Sequence, residues 1–162
     1  MVSFTKKTAA VACALMLTSG ASYAEPADTL RIGVSTYLSG AGAVFGVPAR
    51  DAAELIAANF NKDGGIKGAN VELKFIDENR GVDNVVVEYK RMVESGEVDI
   101  MVIGLSSSIC LAVAPVAEQL KMPTILWDCG TARLYEENKY QYVYRTSDYT
   151  PANNVAAALY ML

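Results

Sequence analysis

The stretch VDIMVIGLSSSICLAVAPVAEQL, from Val98 to Leu120, constrains the fold more than any other part of this chain. A continuous apolar strand, Ile100 to Ile103, runs into Gly104, then three serines, then a helix carrying Ala112, Val113, Val116 and Leu120. The arrangement places unpaired backbone N–H groups and serine hydroxyls at a helix N-terminus, at the carboxyl end of a parallel strand. An anion such as a carboxylate suits that position, because the N–H donors are free and the helix dipole is positive there.

The same alternation of strand and helix extends on both sides. Leu30 to Thr36 reads as a strand with Ile32, Val34 and Thr36 on one face, followed by the loop YLSGAGAVFG. Pro48 is expected to open a helix to about Asn61, with Ala52, Leu55, Ile56 and Phe60 on one stripe and Gly64-Gly65 closing it. Val71 to Asp77 alternates apolar residues with Glu and Lys as a strand does. Val82 to Ser95 carries Val85, Val86, Tyr89, Met92 and Val93 at helical spacing. Further strands are expected at Thr124 to Trp127 and Tyr142 to Arg145, and a last helix from Pro151. Strands separated by about 10–15 residues of helical pattern form βαβ units, so the fold class is α/β, a parallel sheet with helices on both faces. Ligands in such sheets bind outside the carboxyl ends of the strands. The loops that matter are then Tyr37–Gly46, Asp77–Asp83, Leu105–Ser108 and Asp128–Thr131.

The first 24 residues form a separate unit. Lys6 and Lys7 make a short basic region, Ala9 to Leu17 is an unbroken apolar run too short to span a bilayer, and Ser22-Tyr23-Ala24 offers small residues at −3 and −1. This is the layout of a cleaved secretory signal. No later segment is long or apolar enough to cross a membrane. The chain ends within a helix, without a cap, which suggests that part of the functional unit lies beyond Leu162.

Charge and composition exclude several functions. The 14 basic residues are outnumbered by 18 acidic ones, no basic cluster occurs, and nucleic acid is not an expected partner. Histidine is absent, which removes Ser-His-Asp and Cys-His catalysis and His-based metal sites. No catalytic residue, metal site or cofactor is assigned. The loop G-A-G-A-V-F-G is one residue longer than the dinucleotide fingerprint, and the acid at Asp77 lies well beyond the roughly 20 residues that fingerprint requires. Tyr37 and Phe45 in this loop are instead candidate walls for a ligand.

The candidate site residues each carry a competing structural role. One serine of Ser106-Ser107-Ser108 explains an N-cap, and three after a glycine exceed what capping needs. Asp77, Glu78 and Asn79 fit a solvated turn as well as a site. Asp128 either caps a helix or faces the cleft, and Trp127 is core or cleft wall. Cys110 and Cys129 follow strands that, if neighbours, lie about 4.8 Å apart. Side-chain direction is not fixed by sequence, so a bridge and two free thiols both stay open.

These residues resemble a known family. RIGVSTYLSGAGAVFG, AAELIAANFNKDGGIKGANVELKFIDE, VIGLSSSICLAVAPVAEQLKMPTI and YVYRTS are similar to the type I periplasmic solute-binding proteins of branched-chain amino acid ABC transporters. The resemblance implies a three-layer αβα parallel sheet forming the N-terminal lobe of a two-lobed clamshell that traps ligand on closure. Residues 25–147 would be the first lobe with its first hinge crossing at Tyr142 to Ser147, and residues 148–162 the start of the second. It further implies that Ser107, assisted by Ser108, holds a ligand carboxylate, and that residues after the next strand accept an ammonium. There Trp127-Asp128-Cys129-Gly130-Thr131 departs from the family pattern: Asp128 would take the ammonium through its carbonyl or carboxylate, and Thr131 would supply a hydroxyl. Phe45, Tyr37 and Trp127 would line the rest. The implied role is a non-enzymatic periplasmic receptor delivering a branched-chain amino acid or a related small carboxylate or amide to an inner-membrane ABC permease. The alternative is a ligand-sensing lobe of a regulatory receptor.

Overall fold

A computed structural model describes residues 28–136, 138–147 and 150–161; the signal expected over residues 1–24 lies outside the described residues. Five parallel strands are arranged in the order β2-β1-β3-β4-β5, with β1 at Thr29–Thr36, β2 at Asn70–Asp77, β3 at Ile100–Ile103, β4 at Thr124–Leu126 and β5 at Val143–Arg145. The helices between them are α1 (Ala43–Lys62), α2 (Val82–Glu94), α3 (Ser107–Leu120) and the short α4 (Arg133–Glu136); α5 (Thr150–Tyr160) follows β5. Among the described residues no helix is long and apolar enough to cross a membrane.

The sheet has two unequal faces. On one, Met101 and Ile103 of β3, Leu126 of β4 and Val143 of β5 pack with Val85, Tyr89 and Met92 of α2, Ile109, Val113 and Ala117 of α3 and Leu134 of α4. This is the sealed core, and the apolar period of α2 read from sequence matches its buried residues. The Tyr89 hydroxyl reaches Thr124 Oγ1 at 2.7 Å inside it, and burial pushes the phenol up to about 12. In α3 the buried set is Ile109, Cys110, Val113, Ala114 and Ala117, rotated from the expected stripe, with Val116 and Leu120 at its margin.

The other face carries α1, against β1 and β2. Here the structure corrects two expectations. First, α1 begins at Ala43, not Pro48. Gly42 opens the helix, its carbonyl accepting from the amides of Phe45 and Gly46 at 3.0 and 3.2 Å. Pro48 forfeits only the bond to the Val44 carbonyl, which belongs to an exposed residue. The early start depends on Gly46, where a Cβ would stand 2.0 Å from the Tyr37 carbonyl oxygen, so the first helical turn lies directly on the chain leaving β1. Second, Leu55, Ile56 and Phe60 are not buried: they are 64%, 55% and 47% exposed. The buried contacts of α1 are Gly46 and Ala57. Ile56 and Phe60 instead flank an apolar groove of about 390 Å³ over Ile32, Val34, Leu73 and Val102.

Candidate functional site

Strand order decides where a ligand can sit. In a 2-1-3-4-5 sheet the connections from β1 and β3 leave in opposite directions, and the crevice opens outside their carboxyl ends. A cleft of about 590 Å³ lies there, lined by Tyr37, Ala41, Gly42 and Phe45 from the β1–α1 loop and α1, Asn79 after β2, Leu105 after β3 and Asp128 after β4.

The walls of this cleft are fixed by acids that the ends of β1 and β2 bring together. Asp77 accepts from the Leu38 amide at 2.9 Å, the Ser39 hydroxyl at 2.6 Å and the Asn79 amide at 3.0 Å. Burial would raise its carboxyl, but these hydrogen bonds outweigh it and hold the group below the usual carboxylate range. Asn79 Nδ2 donates to Ser39 Oγ at 3.1 Å, and its side chain occupies the space a Cβ on Gly40 would need. The Tyr37 ring likewise packs on Gly42. The glycine loop is therefore folded onto Tyr37 and Asn79.

Glu78 departs most from the solvated turn that the sequence suggests. It is 2% exposed. Its carboxylate accepts from the Ser35 hydroxyl at 2.7 Å and from the Leu105 amide, 3.3 Å from each oxygen, while the Gly104 amide donates to Ser35 Oγ at 3.1 Å. Gly104 has φ +46°, and a Cβ there would lie 2.8 Å from Glu78 Oε1. Burial pushes the Glu78 carboxyl up, more than the hydrogen bonds from Ser35, Leu105 and Ser106 bring it down, and the Asp77 charge adds to the rise. One buried carboxylate thus ties β1, the β2–α2 turn and the β3–α3 loop together beneath the cleft.

At the start of α3, Ser106 occupies the N-cap without a side-chain capping bond, and its hydroxyl pairs with Ser108 Oγ at 2.7 Å. The Ser107 hydroxyl makes no hydrogen bond among the described residues, and Ser107 is half-buried. On the β4 side, Asp128 is exposed. Thr131 Oγ1 accepts from the Arg133 amide at 3.3 Å, which caps α4. Cys110, in the first turn of α3, and Cys129, next to Asp128, form a disulfide with Cα atoms 6.4 Å apart, resolving the choice that the sequence left open. Arg145 Nη1 donates to the Thr131 carbonyl at 2.7 Å, and the Cys129 amide donates to Ser147 Oγ at 3.1 Å.

Of the seven residues singled out from sequence, Tyr37, Phe45 and Asp128 line the cleft together. Ser107 and Ser108, two and three residues after Leu105, are not among the residues that line it. Thr131 lies beyond Asp128 in the bridged loop. Trp127 is placed elsewhere: it lines the apolar groove under α1, with Nε1 3.5 Å from the Ser35 carbonyl. Asn79, Leu105 and Glu78 were not picked as site residues, and only their position in loops that follow strands pointed toward them.

An open parallel sheet with a partly apolar, partly polar crevice at its switch point defines a small-molecule-binding α/β lobe. The chain belongs to the periplasmic binding protein family, whose model matches residues 29–162. Among solved structures, it is similar to the leucine-binding protein LivK of Thermotoga maritima (21% identity, TM-score 0.70, 82% of this chain and 36% of that one). It is also similar to LivJ of Streptococcus pneumoniae in complex with isoleucine (21%, 0.67, 75% and 34%) and to a fatty acid ABC transporter substrate-binding protein of Thermomonospora curvata (23%, 0.71, 83% and 33%). The chain spans about a third of the length of these proteins, and the likeness is one of fold.

Proposed function

We propose that this chain is the first lobe of a periplasmic receptor that delivers a branched-chain amino acid, or a related small carboxylate or amide, to an inner-membrane ABC permease. The observation that carries the reading is the β1/β3 crevice, because it opens beside an α3 N-terminus whose serines do no capping. Ser107 and Ser108 receive the ligand carboxylate through hydroxyls and amides that the helix leaves free. Asp128 and Thr131 stand on the ammonium side, and Tyr37 and Phe45 cover the apolar part. Trp127 supports this wall from beneath, through the sheet face. The lobe divides as the sequence suggests: an exported signal over residues 1–24, a first lobe with its hinge strand over 25–147, and the start of a second lobe over 148–162. Binding of this kind requires donors and a closing partner lobe and no bond chemistry.

Isothermal titration of the full-length mature protein with leucine, isoleucine and valine tests this. Micromolar or tighter binding, weakened at least tenfold by Ser107→Ala, is the expected result, since a hydrogen bond to a charged group contributes about 1.5–3 kcal/mol. Equal affinity of wild type and Ser107→Ala would reduce Ser107 to a helix-start residue.

A further inference from the structure

The start of α3 already holds an anion. Glu78, 2% exposed, accepts from the Ser35 hydroxyl at 2.7 Å, from the Leu105 amide, 3.3 Å from each oxygen, and from the Ser106 amide. Further along, the Cys110 amide is the first to reach a carbonyl of the helix start, that of Ser106, at 3.0 Å. The amides of Ser107, Ser108 and Ile109 lie between these two sets and have no partner within the helix. A ligand carboxylate seated on them shares one positive helix end with Glu78, on amides adjacent in sequence.

Two anions so placed repel each other, and burial removes the water that would screen them. Few groups around Glu78 can answer a second negative charge. Asp77 precedes it and its charge acts on it, but three donors hold the Asp77 carboxyl low, so it stays ionised. Ser35 on β1 and Gly104, Leu105 and Ser106 after β3 carry no charge, and Cys110 of α3 is tied up in its bridge. Arg80 in the turn after β2, Asp83 in the first turn of α2 and Asp128 across the cleft are exposed to solvent. Histidine, the side chain that ordinarily titrates near neutrality, is absent from these 162 residues. The group left to respond is Glu78 itself, whose burial already favours its neutral form.

We propose that Glu78 takes up a proton when a carboxylate settles on the start of α3, so that carboxylate ligands are held more tightly as pH falls. This coupling rests on the reading that Ser107 and Ser108 receive the ligand carboxylate, and it adds the buried group that answers the ligand's charge. The direction follows from linkage. The bound carboxylate makes Glu78 titrate higher than it does in the empty receptor. Below both titrations Glu78 is neutral throughout and affinity is high and flat; above both it is charged throughout and affinity is low and flat. Between them a proton enters with the ligand, and affinity falls as pH rises.

Calorimetric titration of the full-length mature protein with leucine, over about pH 5–8 and in buffers of different ionisation heat, counts the protons taken up. Wild type is expected to lose affinity about tenfold or more across that range, and to take up about half a proton or more per leucine where the profile is steepest. Glu78→Gln, neutral at every pH, should bind with an affinity that varies less than about twofold and take up no proton. Ser35→Ala removes a donor to the charged form of Glu78, so it should move the steep part of the profile to higher pH; this variant reads Glu78 even if the Gln variant does not fold. Leucine binding without proton uptake, a pH dependence that survives Glu78→Gln, or a profile unmoved by Ser35→Ala overturns the coupling and leaves the receptor reading intact. Failure of leucine, isoleucine and valine to bind at any pH overturns the receptor reading, and the coupling with it.

Discussion

The Cys110–Cys129 bridge gives the most direct test of how this end of the lobe is held. The two residues are 19 apart in sequence, so the bridge closes a loop that contains most of α3 and all of β4. In the chain-entropy description, a cross-link closing a loop of that length removes about 3 kcal/mol of freedom from the unfolded chain. Domains of this size are stable by only about 5–15 kcal/mol, so the bridge is a large share of the total. Both sulfurs are fully buried, and an alanine at each position leaves no polar group stranded.

The assay is urea unfolding of the mature protein, oxidised and with a thiol reductant, beside a Cys110→Ala/Cys129→Ala variant. With a urea dependence of about 1–3 kcal/mol per molar, losing about 3 kcal/mol lowers the midpoint by about 1–3 M. The reduced protein and the double variant should fall together. Reductant should leave the double variant unmoved, which separates the bridge from side effects of the reagent. Two titratable thiols in the oxidised, unfolded protein, or a midpoint indifferent to reductant, would refute the reasoning. The same loss should reach the ligand, since the bridge joins the turn that bears Ser107 and Ser108 to the loop that bears Asp128.

Two further substitutions probe the ends of β1 and β2. Gly46→Ala drives a methyl to 2.0 Å from the Tyr37 carbonyl oxygen, a backbone atom that cannot swing aside, so it should cost about 3 kcal/mol and lower the melting temperature; wild-type stability would disprove the close helix–strand approach. Glu78 titrates higher in the folded protein than in the unfolded chain, so between those two values the folded state binds more protons and stability falls as pH rises. Glu78→Gln should abolish that component: the stability of wild type relative to the variant declines from about pH 4.5 upward, measured by urea midpoints, and a pH-independent difference would contradict the buried, raised carboxyl.

What could be read in the sequence was whatever depends on period. The alternation of apolar strands with helical stripes placed five strands and their order of appearance, because burying a strand on both faces leaves a continuous apolar run, as at Ile100–Ile103. Helix α2 was legible for the same reason: its buried Val85, Tyr89 and Met92 recur at helical spacing. Helix α1 was not, because the feature that sets its start is the absence of a side chain. Gly46 lowers helix propensity by about 1 kcal/mol relative to alanine and so resembles a loop residue, yet it is required where the helix touches the Tyr37 backbone. The large residues Leu55 and Ile56 suggested the buried face, while contact with the sheet runs through glycine and alanine, which allow the helix to come close.

The site divides along the same line. That Asp128 and Tyr37 line the cleft was legible because residues just beyond a strand's carboxyl end face the crevice in a parallel sheet. Glu78 satisfies the same positional rule, yet its environment is made by partners 43 and 27 residues away, Ser35 and Leu105. No local pattern distinguishes it from Asp77 before it, although one carboxylate holds its own loop and the other is sealed under the α3 start. The distinction follows from strand order. Only when β1 lies between β2 and β3 do the turn after β2 and the loop after β3 meet across the end of β1. That adjacency puts a buried anion behind the serines that are proposed to receive a carboxylate.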